Sequence, residues 1–216
     1  HYLNDPYQLN ASFEGGIEGI ETESNDTRED ADEIFFGNPV TGDLALGSTV
    51  DGIWVPDWDW YVVDVGVPGV LTIDLDSSGA TTQDFDYFTV SVFDSDTMIL
   101  ASRTGDGVEV DPSQDGAFGD VNDFAFQVAA PEPGLYYIQV TDATGEPRQF
   151  NYDGSKKDDP YALSVTIEEG SVAGYETENN WSLSDHDILS FDETIQGSLY
   201  AREDQDWYGL DVDSSG

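Results

Sequence analysis

The chain has 216 residues, of which 46 are Asp or Glu and only six are Lys or Arg, a formal charge of −40 at pH 7. That sign repels phosphate backbones and anionic membrane surfaces, which excludes nucleic acid and anionic lipid as partners. An aromatic content of 12% excludes an acidic disordered chain. No apolar run approaches the ~18 residues of a membrane span, so membrane insertion is excluded as well.

Taken in chain order, Asp5 to Glu14 reads as a strand, and Glu21 to Asp26 as an extended acidic segment. Glu29 to Phe36 allows one or two helical turns at most. Trp60 to Val65 then alternates apolar and polar residues, and Val70 to Asp76 follows with Leu71, Ile73 and Leu75 on one face. Phe88, Val90 and Val92 alternate with Tyr87, Thr89 and Ser91. Phe124 to Ala129 reads the same way. After the turn Pro131-Glu132-Pro133, Gly134 opens what the pattern predicts to be a central strand, with Tyr136, Ile138 and Val140 inward. Tyr161 to Ile167 closes the series. Short runs of period two, bounded by Gly, Pro, Asp or Ser, predict antiparallel sheets packed face to face, an all-β sandwich.

The chain nearly repeats itself. ETESND at Glu21 to Asp26 returns as ETENN at Glu176 to Asn180, and VTGDL at Val40 to Leu44 as IQGSL at Ile195 to Leu199. DWDWYVVDV at Asp57 to Val65 returns as DQDWYGLDV at Asp204 to Val212. DPYQLNASFE at Asp5 to Glu14 matches DPYALSVTIE at Asp159 to Glu168. A repeat of this length is a whole domain. The expected division is the terminal strand of a preceding copy in residues 1–16, a complete copy in 17–170, and the first strands of a following copy in 171–216. The end pieces either pack on one another or on a second molecule, or they simply reflect where the sequence is cut.

The motifs run in the order E-x-E-x-N-[DN], V-x-G-x-L, D-x-D-W-Y, P-G-x-L-x-[IV]-x-L, G-x-Y-Y-[IV]-x-V and Y-x-L-x-[IV]. They lie at Glu21 to Asp26, Val40 to Leu44, Asp57 to Tyr61, Pro68 to Leu75, Gly134 to Val140 and Tyr161 to Val165. In this order they resemble the bacterial pre-peptidase C-terminal domain family, whose relatives include the collagen-binding domains of clostridial collagenases. The resemblance spans the complete copy. It implies a jelly-roll-like sandwich, a non-catalytic appendage of secreted or cell-surface bacterial proteins, with calcium near the N-terminal segment.

Physical chemistry supports part of that expectation. In an extended segment Glu21, Glu23 and Asn25 share a face, with Asp26 at the following bend, and Asp57 and Asp59 share another. Bringing these groups together costs several kcal/mol of like-charge repulsion unless a cation lies between them. Calcium takes six to eight oxygens of this kind. The resemblance implies that the two groups meet, with Asp43 close by. In the partial copy the corresponding residues are Glu176, Glu178, Asn180, Asp204 and Asp206, while Trp181 replaces Asp26 and Ser198 replaces Asp43, which predicts fewer or weaker ions there. Asp111, Ser113 and Asp115, with Gly116 and Asp120, imitate the start of a helix-hand calcium loop, but Asn122 stands where a bidentate Glu belongs. For all of these the plain alternative is an acidic surface solvated in a saline medium.

Relative to the following copy, an eight-residue insertion lies within Ala45 to Pro56 and holds Trp54, with Trp58 just beyond. Both are candidates for binding an extracellular peptide, protein or glycan, or else fold back as a lid on the sandwich edge. The Thr104 to Asp123 segment is a second candidate. Catalysis finds no support: the two histidines form no zinc-protease motif, there is no Cys, and no Gly-x-Ser-x-Gly elbow occurs. Asp185-His186-Asp187 beside Ser184 is the nearest approach to a triad. The expectation is a non-enzymatic, calcium-binding adhesion or substrate-binding module; the alternatives are a calcium-stiffened spacer or an accessory domain of a secreted peptidase.

Overall fold

Alternating burial along each strand organises the molecule into two facing sheets. The computed structural model describes residues 19–44, 48–50, 53–55, 57–76, 88–105, 123–142, 159–178, 180–199 and 204–212. Among these, strand β1 is Asp32–Glu33, β2 Val40–Leu44, β3 Ser48–Val50, β4 Ile53–Val55, β5 Asp59–Val65, β6 Gly69–Asp76 and β7 Phe88–Phe93. They continue with β8 Ile99–Thr104, β9 Phe124–Ala130, β10 Gly134–Asp142, β11 Asp159–Glu169, β12 Asp187–Ile188 and β13 Tyr208–Gly209. A five-stranded sheet runs β1-β5-β10-β7-β8 and a four-stranded sheet runs β2-β11-β6-β9. The expected β-sandwich is the observed one, and β10 occupies the predicted central place, antiparallel to both β5 and β7.

The inward residues are those the period-two pattern selects. Tyr61, Val63 and Val65 of β5 and Val90, Val92, Ile138 and Val140 of its sheet meet Leu71, Ile73, Leu75, Leu163 and Val165 of the other, all fully buried. Each such side chain contributes roughly 1.5–3 kcal/mol by leaving water. Tyr161 of β11 crosses between the layers: its ring packs edge-on to Phe88 at 5.5 Å, and its hydroxyl lies 2.7 Å from that of Tyr61. The outward residues Asp74, Asp76 and Asp64 carry charge into solvent.

Two details differ from the sequence reading. The expected helical turns at Glu29 to Phe36 reduce to one 3-10 turn, Arg28–Asp30, and the chain then enters β1. Here Asp32 and Glu33 pair in parallel with Tyr61 and Val62, and the Ile34 amide donates to the Val62 carbonyl at 3.0 Å. Burial of Ile34 selects the extended form over the helix. This parallel pair also makes the five-stranded sheet mixed rather than wholly antiparallel. The insertion forms the β3–β4 hairpin, with Trp54 opposite Thr49. The proposed strand in residues 1–16 and the loop at Asp111, Ser113, Asp115 and Asp120 lie outside the described residues.

Replacing Leu163 with Ala removes a fully buried side chain from the second strand of its sheet. Urea denaturation followed by circular dichroism should show a loss of about 2–5 kcal/mol. The outward-facing Asp74→Ala should stay within about 0.5 kcal/mol of the parent chain.

Candidate metal centre

The segment leading into the sandwich straps both sheets together. At its start it lies beside β2: the Thr41 amide donates to the Gly19 carbonyl at 2.8 Å, and the Glu21 amide to the Thr41 carbonyl at 3.1 Å. Four residues later it lies beside the other sheet, where the Asn25 carbonyl accepts from the Trp60 amide of β5 at 3.1 Å. The segment thus carries its side chains across the edge of the sandwich, where β2 brings Asp43 and β5 brings Asp59.

Glu21 is held at both oxygens. Its Oε1 accepts from the Asp43 amide at 2.6 Å and its Oε2 from the Tyr61 hydroxyl at 2.8 Å. Close approach requires glycine at position 42, because a Cβ there would meet both the Tyr161 ring and the Glu21 carboxylate. Asp59 is fully buried; its Oδ2 accepts from the Tyr161 hydroxyl. Its Oδ1 has no hydrogen-bond partner. Asn25 is fully buried too, and neither end of its amide has a partner. Carboxylate oxygens of Glu21, Glu23 and Asp59 all lie within 4.8 Å of one another. Among the described residues, this is the one group of three or more acidic or imidazole side chains that converges so closely.

These residues fit a hard divalent cation. The donors are carboxylate and amide oxygens, with no thiol or imidazole among them, and buried orphan oxygens at Asn25 and Asp59 face the cost of lost hydration. Burial holds the Asp59 carboxyl up at about 9, with the neighbouring Glu21 charge adding to the effect and the Tyr161 hydroxyl opposing it. Burial also raises Glu21, against the lowering bonds from Tyr61 and Asp43. Glu23 is raised by burial, then by the charges of Glu21 and Asp26. Asp43 adds repulsion to Glu21 and Glu23, and Asp57 adds it to Asp59. Of the expected residues, Glu21, Glu23 and Asp59 converge, Asn25 is buried with an unpartnered amide on the same strap, and Asp26, Asp43 and Asp57 lie within electrostatic reach.

The same backbone scaffold occurs again further along the chain. The Gln196 amide donates to Gly174, the Glu176 amide to Gln196, and the Trp207 amide to the Asn180 carbonyl, at 2.8–2.9 Å. Glu176 accepts from the Ser198 amide and from the Tyr208 hydroxyl. Asn180 is buried with its Oδ1 lacking a partner, as is Oδ1 of Asp206. Burial raises Glu176 and Asp206, and Asp204 adds to the latter. Yet Glu176, Glu178 and Asp206 do not converge as the first group does. Trp181, at the place of Asp26, is exposed.

Sequence reasoning missed several members of both scaffolds. Asp32 accepts from the Thr22 amide at 2.6 Å, and Asp187 from the Thr177 amide at 2.9 Å, fixing the bend of each strap. The hydroxyls of Tyr61, Tyr161 and Tyr208 complete the list. For the two aspartates a signal was present: aligning the copies sets Asp30-Ala31-Asp32 on Asp185-His186-Asp187. That second stretch is no triad, since His186 Nδ1 contacts the Leu183 carbonyl and Ser184 bonds to Ser182 and Asp185. Trp58 is exposed, whereas only the backbone position of Trp54 is described.

No family model and no curated protein matches the sequence. Among solved structures, the chain is similar to the pre-peptidase C-terminal domain of collagenase from Bacillus anthracis. That likeness has 21% identity and a TM-score of 0.36, covering 63% of this chain and 94% of that one. It is also similar to CorA, a surface-associated copper-binding protein of Methylomicrobium album BG8, at 13% identity and TM-score 0.42, covering 64% and 98%. The K1 cleaved adhesin domain of Lys-gingipain from Porphyromonas gingivalis W83 gives 17% and 0.32, covering 62% and 75%. Among the described residues no helix is long and apolar enough to cross a membrane.

The raised carboxyls fix a sign for pH dependence. Asp59 and Glu21 bind protons more tightly when folded than in the unfolded chain, where they titrate near 3.9 and 4.3. Without metal their contribution is therefore most favourable below about 4 and is lost as pH rises toward the folded value of about 9 for Asp59. Melting in chelator should fall with pH across that window. Asp59→Asn should flatten the fall, while Asp74→Asn, a surface control, should leave it. Melting that rises with pH in chelator contradicts the site as described.

Proposed function

We propose that this chain is a non-catalytic, calcium-binding β-sandwich module of a secreted or cell-surface bacterial protein. The observation that carries this reading is a pair of buried oxygens without protein partners, Asn25 Oδ1 and Asp59 Oδ1, the latter in the carboxylate group it forms with Glu21 and Glu23. Those four residues would hold the ion, whose chemistry is neutralisation of a buried anionic cluster. Glu21 is oriented by the Asp43 amide and Tyr61, and Asp59 by Tyr161. Because Glu21, Glu23 and Asn25 sit on the strap while Asp59 sits on β5, ligation fastens the strap to the sandwich. This favours a module stiffened at its junction with whatever precedes it, the spacer reading, with partner binding as an added role.

Calcium at about 100 times its dissociation constant should stabilise the chain by about 2.7 kcal/mol per independent site. Melting in chelator, calcium or sodium chloride of equal ionic strength tests this. Calcium-specific stabilisation that Asp59→Asn abolishes is the expected result; equal stabilisation by sodium chloride would reduce the cluster to general charge screening.

Recognition of an extracellular peptide or glycan is the second reading, favoured by the exposed Trp58 next to the β3–β4 insertion. A glycan and peptide array should lose its signal with a Trp54→Ala, Trp58→Ala double variant. Absence of any signal, with chelation only loosening the chain, leaves the spacer reading alone.

A further inference from the structure

The outward side of the five-stranded sheet differs in chemistry from the rest of this acidic surface. Pairing sets its side chains in rows across β5, β10, β7 and β8, a span of about 14 Å at the usual strand spacing. In one row Gln139 stands between Trp60 and Ser91, and Ser91 is opposite Ser102. In the next, Thr89 stands between Thr141 and Thr104. Neither row holds an acid. On this side Asp64 lies toward the far end of β5, and Glu33 lies beside Val62 on the β1 rim. The outward side of the other sheet carries Asp74, Asp76 and Glu168. The hydroxyls come in bonded pairs, Ser91 with Ser102 and Thr89 with Thr104, each at 2.8 Å. Two hydroxyls own two hydrogens and use one in their mutual bond, so each pair keeps a donor and free lone pairs. Aromatic rings lie alongside. Trp60 reaches across β10 to Phe93, with centroids 5.1 Å apart, and Trp58, next in the outward series, is 42% exposed. At the other end the Arg28 guanidinium covers the Tyr137 ring at 3.9 Å and donates to the Asp94 and Ser95 carbonyls, which closes that end of the platform.

We infer that this face binds a neutral saccharide, with Trp58 and the Trp60–Phe93 pair against the sugar rings and Gln139, Ser91 and Ser102 on their hydroxyls. The inference rests on the recognition reading above and gives it a place and a ligand class. Three features select the ligand. A sugar ring presents polarised C–H groups on one face, which suit the negative face of an aromatic ring. Its hydroxyls need partners that both donate and accept; amides and hydroxyls do both, whereas carboxylates only accept and guanidinium only donates. An uncharged ligand also escapes the field of a chain of charge −40, which repels anions and draws cations to the acid-bearing surfaces. A basic protein partner would therefore seat on the side of Asp74, Asp76 and Glu168 rather than here. The polar groups are held at fixed spacing because β10 and β7 are interior strands, paired on both edges. Sites carried on such strands are more exact than sites on loops.

Calorimetric titration of the whole chain in calcium with neutral oligosaccharides of glucose, xylose, mannose and N-acetylglucosamine should give binding to at least one of them. That affinity should not change between low and high sodium chloride. Trp60→Ala should weaken it about tenfold or more, and Trp60→Phe should restore most of it. Gln139→Ala and Ser102→Ala should each weaken it about threefold to tenfold. Thr72→Ala, on the outward side of the other sheet, should leave it unchanged. Melting and circular dichroism of each variant separate lost binding from lost folding, and amide shifts induced by the bound sugar should map to β5, β10, β7 and β8. Binding that survives Trp60→Ala and Gln139→Ala but is lost with Trp54→Ala places recognition on the insertion and overturns this proposal alone. Selective binding of peptides or of charged saccharides overturns the ligand class. No binding to any saccharide or peptide overturns both this proposal and the recognition reading.

Discussion

Burying negative charge where a crossing segment meets two sheets is the constraint that organises this molecule. The strap must leave the edge of β2 and reach the start of β5 within a few residues, and its backbone bonds at Glu21 and Asn25 fix both ends of that crossing. Glu21 and Asp59 are thereby carried to the same small volume as Glu23, and Asn25 is buried where its carbonyl accepts from Trp60, the residue after Asp59. A protein that only needed solubility would leave these side chains in water, where acidic groups cost little. Burial makes each of them expensive to keep charged, and repulsion between them adds to the expense.

The tyrosines show how the fold manages that burden. Tyr61 and Tyr161 reach from opposing sheets to a shared hydrogen-bonded group that includes Glu21 and Asp59. Each ring buries apolar area in the core while its hydroxyl serves a carboxylate, so packing and electrostatics depend on the same two residues. Gly42 belongs to this arrangement because only a residue without a side chain leaves room for ring and carboxylate together.

The second scaffold separates what the strap does from what the sandwich does. With Glu176, Asn180, Ser198, Tyr208 and Trp207 in place, the strap's hydrogen bonds recur almost one for one. Convergence of three carboxylates does not recur, and the apolar residues beside it lie open. Local sequence is thus sufficient for the crossing geometry, while the inner acidic group draws on the covering strand and the opposing sheet.

Much of this was legible in the residues themselves. Period-two alternation sets the inward faces of β5, β6, β7, β10 and β11 because a strand's side chains must alternate and water sorts them. The internal repeat marks Glu21, Glu23, Asn25 and Asp59 as a set, since the same types return in the same order as Glu176, Glu178, Asn180 and Asp206. Asp32 escaped notice because an aspartate accepting a backbone bond looks like any surface acid, and β1 because two residues carry no period. The hydroxyl roles of Tyr61 and Tyr161 escaped because inward tyrosines read simply as core. What the sequence alone determined is therefore the local rule, which face of each strand leaves water and which acids travel together. Which acids meet, which of them lose hydration, and which tyrosine answers them depended on contacts up to 140 residues apart. Only the packing of one sheet on the other decides those.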